Sequence, residues 1–219
     1  MTMRERLIDV AGEVLALLLA ACCPGCDLPG TLLCERCRMQ LAAAPVVTGT
    51  AGGLTVHAAL SYEGVAARCI RRVKEEGATM LARPLGAALA TVLGEQLTRG
   101  TLVVPVPTGR AAYRRRGYRV PDLLIRRAGF AAERMLRPAR RTGDQRGLDR
   151  VARARNVAHS MRVAGGIRPG REVVIVDDVV TTGATLDEAA RALREAGFHP
   201  VCAVALAATP RHRDTRISR

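Results

Sequence analysis

The sequence predicts an α/β domain with a mainly parallel sheet, preceded by a small cysteine module. Apolar β-branched runs alternate with helical patterns along most of the 219 residues, and four cysteines cluster near the amino terminus. A chain of this length can build one main core and a small appendage. We therefore assign residues 1–48 to a helix plus cysteine module, 49–208 to the α/β domain and 209–219 to a flexible basic tail.

The amino-terminal segment is predicted to be an amphipathic helix. Asp9 and Glu13 interrupt it where a signal peptide would be cationic and then apolar. No run in the chain approaches the roughly 18 apolar residues that span a bilayer, so we expect no membrane contact and a cytoplasmic protein. The apolar residues at helical spacing are Leu7, Val10, Val14, Leu18 and Ala21.

Four cysteines form two CxxC pairs that suit a structural zinc ion. Seven residues separate Cys23 and Cys26 from Cys34 and Cys37, so two tight turns can present four thiolates to one tetrahedral ion. A redox pair would not need a second copy, and disulfides are rare in the cytosol. Four sulfur ligands leave no position for a substrate, so the predicted zinc is structural. The other cysteines are predicted to be one spare residue and two core residues, Cys22, Cys69 and Cys202.

Strand and helix patterns alternate through the α/β domain and predict a mainly parallel sheet with helices on its faces. The stretch AAAPVVTGTAGG is expected to be the junction with the cysteine module, near residue 50. The predicted strands are Leu54–Leu60, Leu102–Val106, Val173–Val176 and Val201–Leu206. The predicted helices cover residues 64–75, 80–98, 118–136 and 184–196.

Positive charge is concentrated in two predicted loops. The formal charge is +14, and all but one of the 34 basic residues are Arg, whose guanidinium suits phosphate or carboxylate. Solubility explains the total equally well, but clustering between elements favours anion binding. Aromatic residues make up only 2% of the chain, so stacking surfaces for nucleic acid are scarce, while contact with DNA phosphates stays open. The loop arginines are Arg110, Arg114, Arg115, Arg116 and Arg119 in the first loop and Arg140, Arg141, Arg146, Arg150, Arg153 and Arg155 in the second.

The stretch VVIVDDVVTTGATL has the features of a ligand site. The apolar run Val173–Val176 predicts a buried strand, and Asp177 and Asp178 follow at the end where open α/β sheets bind ligands. Residues 181–185 then lead into a helix whose free N–H groups suit a phosphate. A capping threonine in an ordinary turn is the simpler interpretation, but it leaves two acids in need of partners. A ribose 5-phosphate has both a diol and a phosphate.

These residues resemble the phosphoribosyl pyrophosphate signature of type I phosphoribosyltransferases, in which two acids precede a Thr-Thr-Gly-x-Thr loop. The resemblance implies the type I phosphoribosyltransferase fold and Mg²⁺ on the pyrophosphate. It also implies that the acids hold the ribose hydroxyls while the loop holds the 5′-phosphate. The donor-binding residues implied are Asp177, Asp178, Thr181, Thr182, Gly183, Ala184 and Thr185.

Almost the whole chain is similar to the ComF family of phosphoribosyltransferase-like proteins, which is associated with natural competence and DNA uptake. The similarity implies that the loop after Pro107 faces pyrophosphate and that residues 141–157 form a mobile cover that excludes water. The matching residues include Tyr62, Gly64, Lys74, the segment 104–117, Thr142, Gln145, Leu148 and Asn156. The arginines assigned to the pyrophosphate side are Arg110, Arg114, Arg116, Arg153 and Arg155.

Lys74 is the sole lysine of the chain, and we assign it a catalytic role with Asp177 and Asp178. One compact ammonium among so many guanidiniums suggests a contact with a pyrophosphate oxygen, where a planar fork does not fit. A solvated position beside two glutamates is an equal alternative. Two departures from the related patterns leave the acceptor undefined. Thr181 stands where purine-salvage enzymes have an acid, and Gly117-Tyr118-Arg119-Val120 stands where ComF proteins have Gly-Phe-Asn-Gln.

Two functions follow from these observations. The first is Mg²⁺-dependent transfer of ribose 5-phosphate to a small nitrogen acceptor, and the alternative is a non-catalytic nucleotide- or DNA-binding protein that acts in DNA uptake. A homodimer is a further expectation. The four histidines form no Ser-His-Asp or Cys-His arrangement in the sequence: His57, His159, His199 and His212.

Overall fold

Five strands form the central sheet, and four of them run parallel. The computed structural model describes residues 21–139, 159–166 and 168–210. The sheet order is β1-β2-β7-β6-β3, with β1 antiparallel to β2 at one edge. The mainly parallel sheet predicted from the sequence is therefore confirmed. The strands are β1 (Val46–Gly49), β2 (Thr55–Ser61), β3 (Leu102–Pro105), β6 (Glu172–Val180) and β7 (His199–Ala208).

A second sheet of two short antiparallel strands lies beside the first. It consists of β4 (Leu136–Pro138) and β5 (Met161–Val163), which border the segment predicted to be a mobile cover. That segment, with Arg153 and Arg155, lies outside the described residues, as do the predicted amino-terminal helix up to residue 20 and the tail from residue 211. The helices are α1 (Glu35–Gln40), α2 (Gly64–Glu75), α3 (Ala82–Glu95), α4 (Arg110–Arg116), α5 (Val120–Arg127) and α6 (Ala184–Glu195), with a 3₁₀ turn at Thr79–Leu81.

Helices cover both faces of the central sheet and create two layers of apolar core. On one face α2, α3 and α5 contribute fully buried residues such as Ile70, Leu89 and Leu124. On the other face α6 contributes Leu186 and Leu193, which pack with residues of the small sheet. Parallel strands buried on both faces read as continuous apolar runs, and this explains the sequence of β6 up to Val176. No helix in the described part of the chain is long and apolar enough to cross a membrane.

The stretch predicted to be a junction contains a strand of the main sheet. Val46 and Val47 of β1 pair with Ala58 and His57 of β2, and the proposed boundary between residues 48 and 49 falls inside β1. Two consecutive β-branched residues form a strand despite the Ala, Pro and Gly around them, because a complete strand is available as a partner. The cysteine module also shares the core of the α/β domain, since Cys37 belongs to the same apolar cluster as α2 and α3.

Two predicted elements around α4 and α5 were wrong. The first Arg-rich loop contains a helix, α4, which ends at Arg116 and is capped by Gly117 with a φ of +77°. Three arginines lie in its last turn, where positive charge favours the helix dipole. The helix predicted over residues 118–136 ends at Arg127. Gly129 then adopts a φ of +88°, and the N–H of Glu133 donates to the carbonyl of Val103, so the chain leaves the helix and passes beside β3. Tertiary contact with the edge strand β3 thus overrides the helical pattern of this segment.

Candidate functional site

Asp177 and Asp178 lie inside β6, in the half that approaches the carboxyl edge of the sheet. The strand was predicted to end at Val176, but β6 continues to Val180 because β7 keeps pairing with it, Asp177 opposite Ala205. Both carboxylates are partly exposed. The N–H of Val106 donates to the carbonyl of Val176, so the loop after β3 starts beside the two acids. This arrangement is the usual location of ligand sites in open parallel sheets.

Lys74 contacts one of the two acids directly. Its Nζ donates to Asp178 Oδ1 at 2.7 Å, and its side chain is only 24% exposed. Lys74 therefore lies against the paired acids and is not a solvated surface residue. The backbone N–H of Asp178 donates to Asp177 Oδ1 at 2.8 Å, which fixes the Asp177 carboxylate against the backbone of its neighbour. Burial and then the charge of Asp178 raise the pKa of Asp177 to about 7, well above the usual range of an aspartate.

The predicted phosphate loop joins β6 to α6. Gly183, with a φ of +83°, precedes the first residue of the helix, and its carbonyl accepts from the N–H of Asp187. The N–H groups ahead of Asp187 therefore precede the intrahelical ladder. Thr182 Oγ1 accepts from the N–H of Ala184 at 3.3 Å, while Thr181 is exposed. Such a helix amino terminus has the geometry and dipole that favour a phosphate.

The turn between β1 and β2 packs against this loop. A Cβ at Gly183 would lie 2.6 Å from Thr50 Cγ2, so only glycine fits there. The N–H of Gly52 donates to Asp187 Oδ2 at 3.0 Å, which fixes the turn to the first turn of α6. Sequence analysis missed these contacts, because the turn falls in a stretch that has the composition of a linker. The hairpin formed by β1 and β2 thus limits the space around the predicted phosphate loop.

The last turn of α2, which carries Lys74, is held by α4 and the residues that follow it. Arg116 Nε donates to the carbonyl of Lys74, and the Tyr118 hydroxyl donates to the carbonyl of Val73. Arg116 is thus partly committed to α2, whereas Arg110 and Arg114 are exposed on α4. Tyr118 belongs to the segment Gly117–Val120, which differs from the ComF pattern. Its hydroxyl has a structural role there, because it holds the end of α2.

The four cysteines of the predicted zinc module lie together with the spacing of a tetrahedral site. Their sulfur atoms all lie within 4.8 Å of one another. Cys34 Sγ is 3.7 Å from Cys23 Sγ and 3.6 Å from Cys26 Sγ. A tetrahedron of sulfurs with bonds of about 2.3 Å has edges of about 3.8 Å, so the cluster fits zinc. A backbone N–H of Leu28 lowers the pKa of Cys26 to about 6, whereas burial raises the pKa of Cys37. Metal binding would require all four cysteines as thiolates.

The cysteine module is attached to α2 by charge and by packing. Asp27 accepts from Arg72 at 2.7 Å and lies 3.7 Å from Arg68. A Cβ at Gly25 would lie 2.9 Å from Val65 Cγ1, which shows how closely the first CxxC turn approaches the helix. Helix α2 therefore lies between the cysteine cluster and the two acids. As predicted, Cys69 and Cys202 are buried core residues, and Cys22 is exposed.

A buried ion pair fixes the small sheet to α6. Glu188 accepts from the N–H of Met161 at 2.8 Å and from Arg191 Nη2 at 2.8 Å, and Arg191 Nη2 also donates to the carbonyl of Met161. Burial opposes ionisation of Glu188, but these hydrogen bonds outweigh it and lower its pKa. No sequence signal marked the pair, because an acid and an arginine at i, i+3 also fit an exposed helix face. The segment between β4 and β5 thus starts and ends next to the helix that carries the phosphate loop.

The chain is similar to several known proteins. The phosphoribosyl transferase domain family matches residues 136–217, which include both acids and the phosphate loop. Competence protein F of Haemophilus influenzae is 34% identical over 113 residues, which are 48% of this chain and 49% of that protein. The chain thus spans about half the length of that relative. A crystal structure of orotate phosphoribosyltransferase from Aeropyrum pernix is 22% identical, covers 80% of each chain and has a TM-score of 0.38.

A longer match comes from DNA utilization protein YhgH of Escherichia coli, strain K12. It is 31% identical over 188 residues, which cover 80% of this chain and 78% of that protein. Together with the domain match and the four-cysteine cluster, this similarity confirms the resemblance noted in the sequence. The chain belongs to the ComF family of phosphoribosyltransferase-like proteins, which includes Competence protein F and YhgH.

Proposed function

We propose that the protein binds phosphoribosyl pyrophosphate and transfers ribose 5-phosphate to a nitrogen acceptor in the cytoplasm. The observation that carries the proposal is the position of the paired carboxylates next to a helix amino terminus at the carboxyl edge of the sheet. A sugar phosphate has hydroxyls for Asp177 and Asp178 and a phosphate for the N–H groups of residues 182–185. The diol of the ligand would then contact the paired acids, and its phosphate would contact the amino terminus of α6. One ligand would thus account for both features of the site.

In the proposed reaction the bond between C1 of the ribose and the pyrophosphate oxygen breaks, and the pyrophosphate leaves with the electron pair. A bond from C1 to the acceptor nitrogen forms, and the nitrogen loses its proton to solvent or to a basic group. Positive charge develops on the sugar ring, where the carboxylates stabilise it. Lys74 and the exposed Arg110 and Arg114 are the described cations that we assign to the leaving pyrophosphate.

Lys74 has two roles in this proposal. In the free protein its ammonium compensates the charge of Asp178 at 2.7 Å. When the ribose hydroxyls donate to Asp178, the ammonium is released to a pyrophosphate oxygen. A compact ammonium on a flexible stem can make this exchange, whereas a guanidinium fork cannot pivot within the same space.

Two metal ions belong to the proposal in different ways. Zinc would be held by Cys23, Cys26, Cys34 and Cys37 and would fix the module against α2. Among the described residues these cysteines are the one group of three or more candidate metal ligands. Mg²⁺ therefore has no comparable set of protein ligands there, and we expect it to arrive on the pyrophosphate oxygens.

The first experiment measures binding and turnover separately. Isothermal titration calorimetry with phosphoribosyl pyrophosphate, with and without Mg²⁺, tests the donor site. Pyrophosphate release across a panel of nitrogen heterocycles and amines tests transfer. Asp177→Asn and Asp178→Asn should each weaken donor binding about tenfold or more. Glu172→Gln, at the opposite end of the same strand, is the matched control and should leave binding unchanged.

The outcomes separate the two proposals for this site. Donor binding without pyrophosphate release for every acceptor would support a non-catalytic ligand-binding protein. If the wild-type protein neither binds phosphoribosyl pyrophosphate nor releases pyrophosphate, the assignment of this site to that donor is wrong.

DNA is the second candidate ligand, because one relative is named a DNA utilization protein and the described chain carries exposed arginines on α4. Binding through phosphates alone predicts an affinity for DNA that falls steeply with salt. A filter-binding titration at two salt concentrations tests this. Affinity that stays the same at both concentrations would contradict it.

A further inference from the structure

The few aromatic residues of this chain are gathered around one cavity. The chain has three Tyr, two Phe and no Trp, and three of these five residues line a single cavity of about 560 Å³. They are Tyr113 of α4, Tyr118 of the α4–α5 corner and Phe130, which follows α5. Aromatic residues make up 2% of the chain, and the buried core is almost entirely aliphatic. The wall of this solvent-accessible cavity therefore differs from the core in composition. The cavity volume is within the range of about 300–1,000 Å³ that holds small ligands.

Arginines line the same cavity. Arg119, Arg126 and Arg134 face it, and Asp122 is the one acid among its lining residues. Asp122 is 8% exposed and accepts from Arg134, so its charge is already compensated. Arg119 lies over the ring of Tyr113, with 4.5 Å from its Cζ to the ring centroid. The wall therefore presents flat aromatic and guanidinium surfaces together with a net positive charge of two.

A second cavity of about 320 Å³ adjoins the first, because the two share Arg119, Asp122 and Arg134. It adds three more arginines, Arg110, Arg137 and Arg162, and no further acid. None of its lining residues is aromatic, so the two cavities differ in chemistry. The first cavity combines aromatic rings with charged side chains, and the second is lined by arginines and by the Pro-rich end of β3.

We propose that the aromatic cavity binds the base of a nucleotide and that the adjoining arginine cavity binds its phosphate. Bases stack on tyrosine rings and guanidinium planes without a need for a fixed hydrogen-bond pattern, and phosphates pair with arginine. A ligand with a planar ring at one end and an anionic group at the other matches the order of the two cavities. An apolar ligand would leave the arginines without a partner, and a plain phosphate would leave the aromatic wall unused.

The aromatic cavity is separate from the proposed donor site, whereas the arginine cavity borders the pyrophosphate side of that site through Pro107, Thr108 and Arg110. Neither cavity is lined by Asp177, Asp178 or any residue of the loop 181–185. The two sites are connected through α2, since Tyr118 lines the aromatic cavity and also donates to the carbonyl of Val73, beside Lys74. Arg110 lines the second cavity and is also assigned to pyrophosphate, so the test uses residues of the aromatic cavity alone.

Equilibrium dialysis with adenosine monophosphate tests the proposal on the full-length protein. Tyr113→Ala and Arg126→Ala should each weaken binding about tenfold, whereas Tyr113→Phe, which keeps the ring, should bind as the wild type does. Arg115→Ala is the charge control, because Arg115 is exposed on α4 and lines neither cavity. Calorimetry with phosphoribosyl pyrophosphate should give unchanged donor affinity for Tyr113→Ala and Arg126→Ala, which also verifies that these variants are folded.

A single-stranded oligodeoxyadenylate of about 12 nucleotides distinguishes the sources of the nucleotide. If the oligonucleotide binds at least tenfold more tightly than the monophosphate, and Tyr113→Ala weakens both, the nucleotide is part of a strand. If the two bind equally and show the same losses, it is a free nucleotide. Absence of binding by both probes, binding that Tyr113→Ala and Arg126→Ala leave unchanged, or equal competition by ribose 5-phosphate would overturn the proposal.

Discussion

Lys74 Nζ lies 2.7 Å from Asp178 Oδ1, although 104 residues separate the two in the chain. Helix α2 brings the ammonium to β6, and Arg116 and Tyr118 hold the end of that helix through the carbonyls of Lys74 and Val73. The one lysine of the chain is thereby placed at the proposed donor site. Four predictions follow from this and related contacts.

Replacement of Lys74 by Arg should weaken donor binding by about tenfold, because the longer planar fork cannot both pair with Asp178 and turn toward a pyrophosphate oxygen. Calorimetry with phosphoribosyl pyrophosphate and Mg²⁺ measures the change. Arg71→Lys, a swap of the same two residue types on an exposed position of α2, is the control and should have no effect. An unchanged affinity in Lys74→Arg would contradict the assigned role.

The raised pKa of Asp177 predicts a pH dependence of stability. The unfolded chain releases this proton near pH 3.8, whereas the folded chain holds it up to about pH 7. Between these values the folded state binds more protons, so its stability falls as pH rises. Asp177→Asn keeps a carbonyl oxygen for the N–H of Asp178 and removes the titration. From pH 4 to pH 8, the free energy of unfolding of the wild type should fall relative to that of the variant by on the order of 4 kcal/mol, in urea titrations. A constant difference between the two proteins would show that Asp177 titrates normally.

Zinc should be present at one ion per chain and should stabilise the fold. Cys26→Ser and Cys37→Ser remove one ligand each and should lose the metal, with a fall of more than about 5 °C in the unfolding temperature. The neighbouring exposed thiol provides the control, since Cys22→Ser should keep both metal and stability. Elemental analysis together with calorimetric scans measures these effects. Full metal content in Cys37→Ser would exclude the four-cysteine site.

The buried ion pair of α6 offers an internal comparison, because Arg191 pairs with two glutamates of different exposure. Glu188 has a side chain that is 3% exposed, whereas that of Glu195 is 63% exposed. Glu188→Gln should cost about 2 kcal/mol in the free energy of unfolding, since it weakens buried hydrogen bonds to Met161 and Arg191. Glu195→Gln should cost less than about 0.5 kcal/mol. Equal costs in urea titrations would show that the contact between Glu188 and the small sheet adds no stability.

Local patterns in the sequence were sufficient to predict the central strands, the turn from β6 into α6 and the cysteine cluster. Each of these is encoded by neighbouring residues, such as the apolar run before Asp177 or the two CxxC pairs. The short strands β1, β4 and β5 were missed, because they owe their structure to a partner strand more than to their own composition. The same reason explains why the helix predicted to reach residue 136 ends at Arg127.

Contacts between distant segments were beyond prediction from a single sequence. The sole lysine was recognised as unusual, but its pairing with Asp178 depends on how α2 packs on the sheet. The scarcity of aromatic residues predicts few stacking surfaces. The fold changes that interpretation, because three of the five aromatic residues meet around one cavity.

The contact between the β1–β2 turn and α6 has a consequence for folding kinetics. Gly52 and Asp187, which are 135 positions apart, must meet before the loop around Gly183 is fully enclosed. Closing so long a stretch of chain is a late and slow event, since its entropy loss is repaid only when most of the sheet has assembled. A partly folded chain would therefore contain the helix and the acids without a finished phosphate loop. Affinity for the donor should be the last property to appear during refolding.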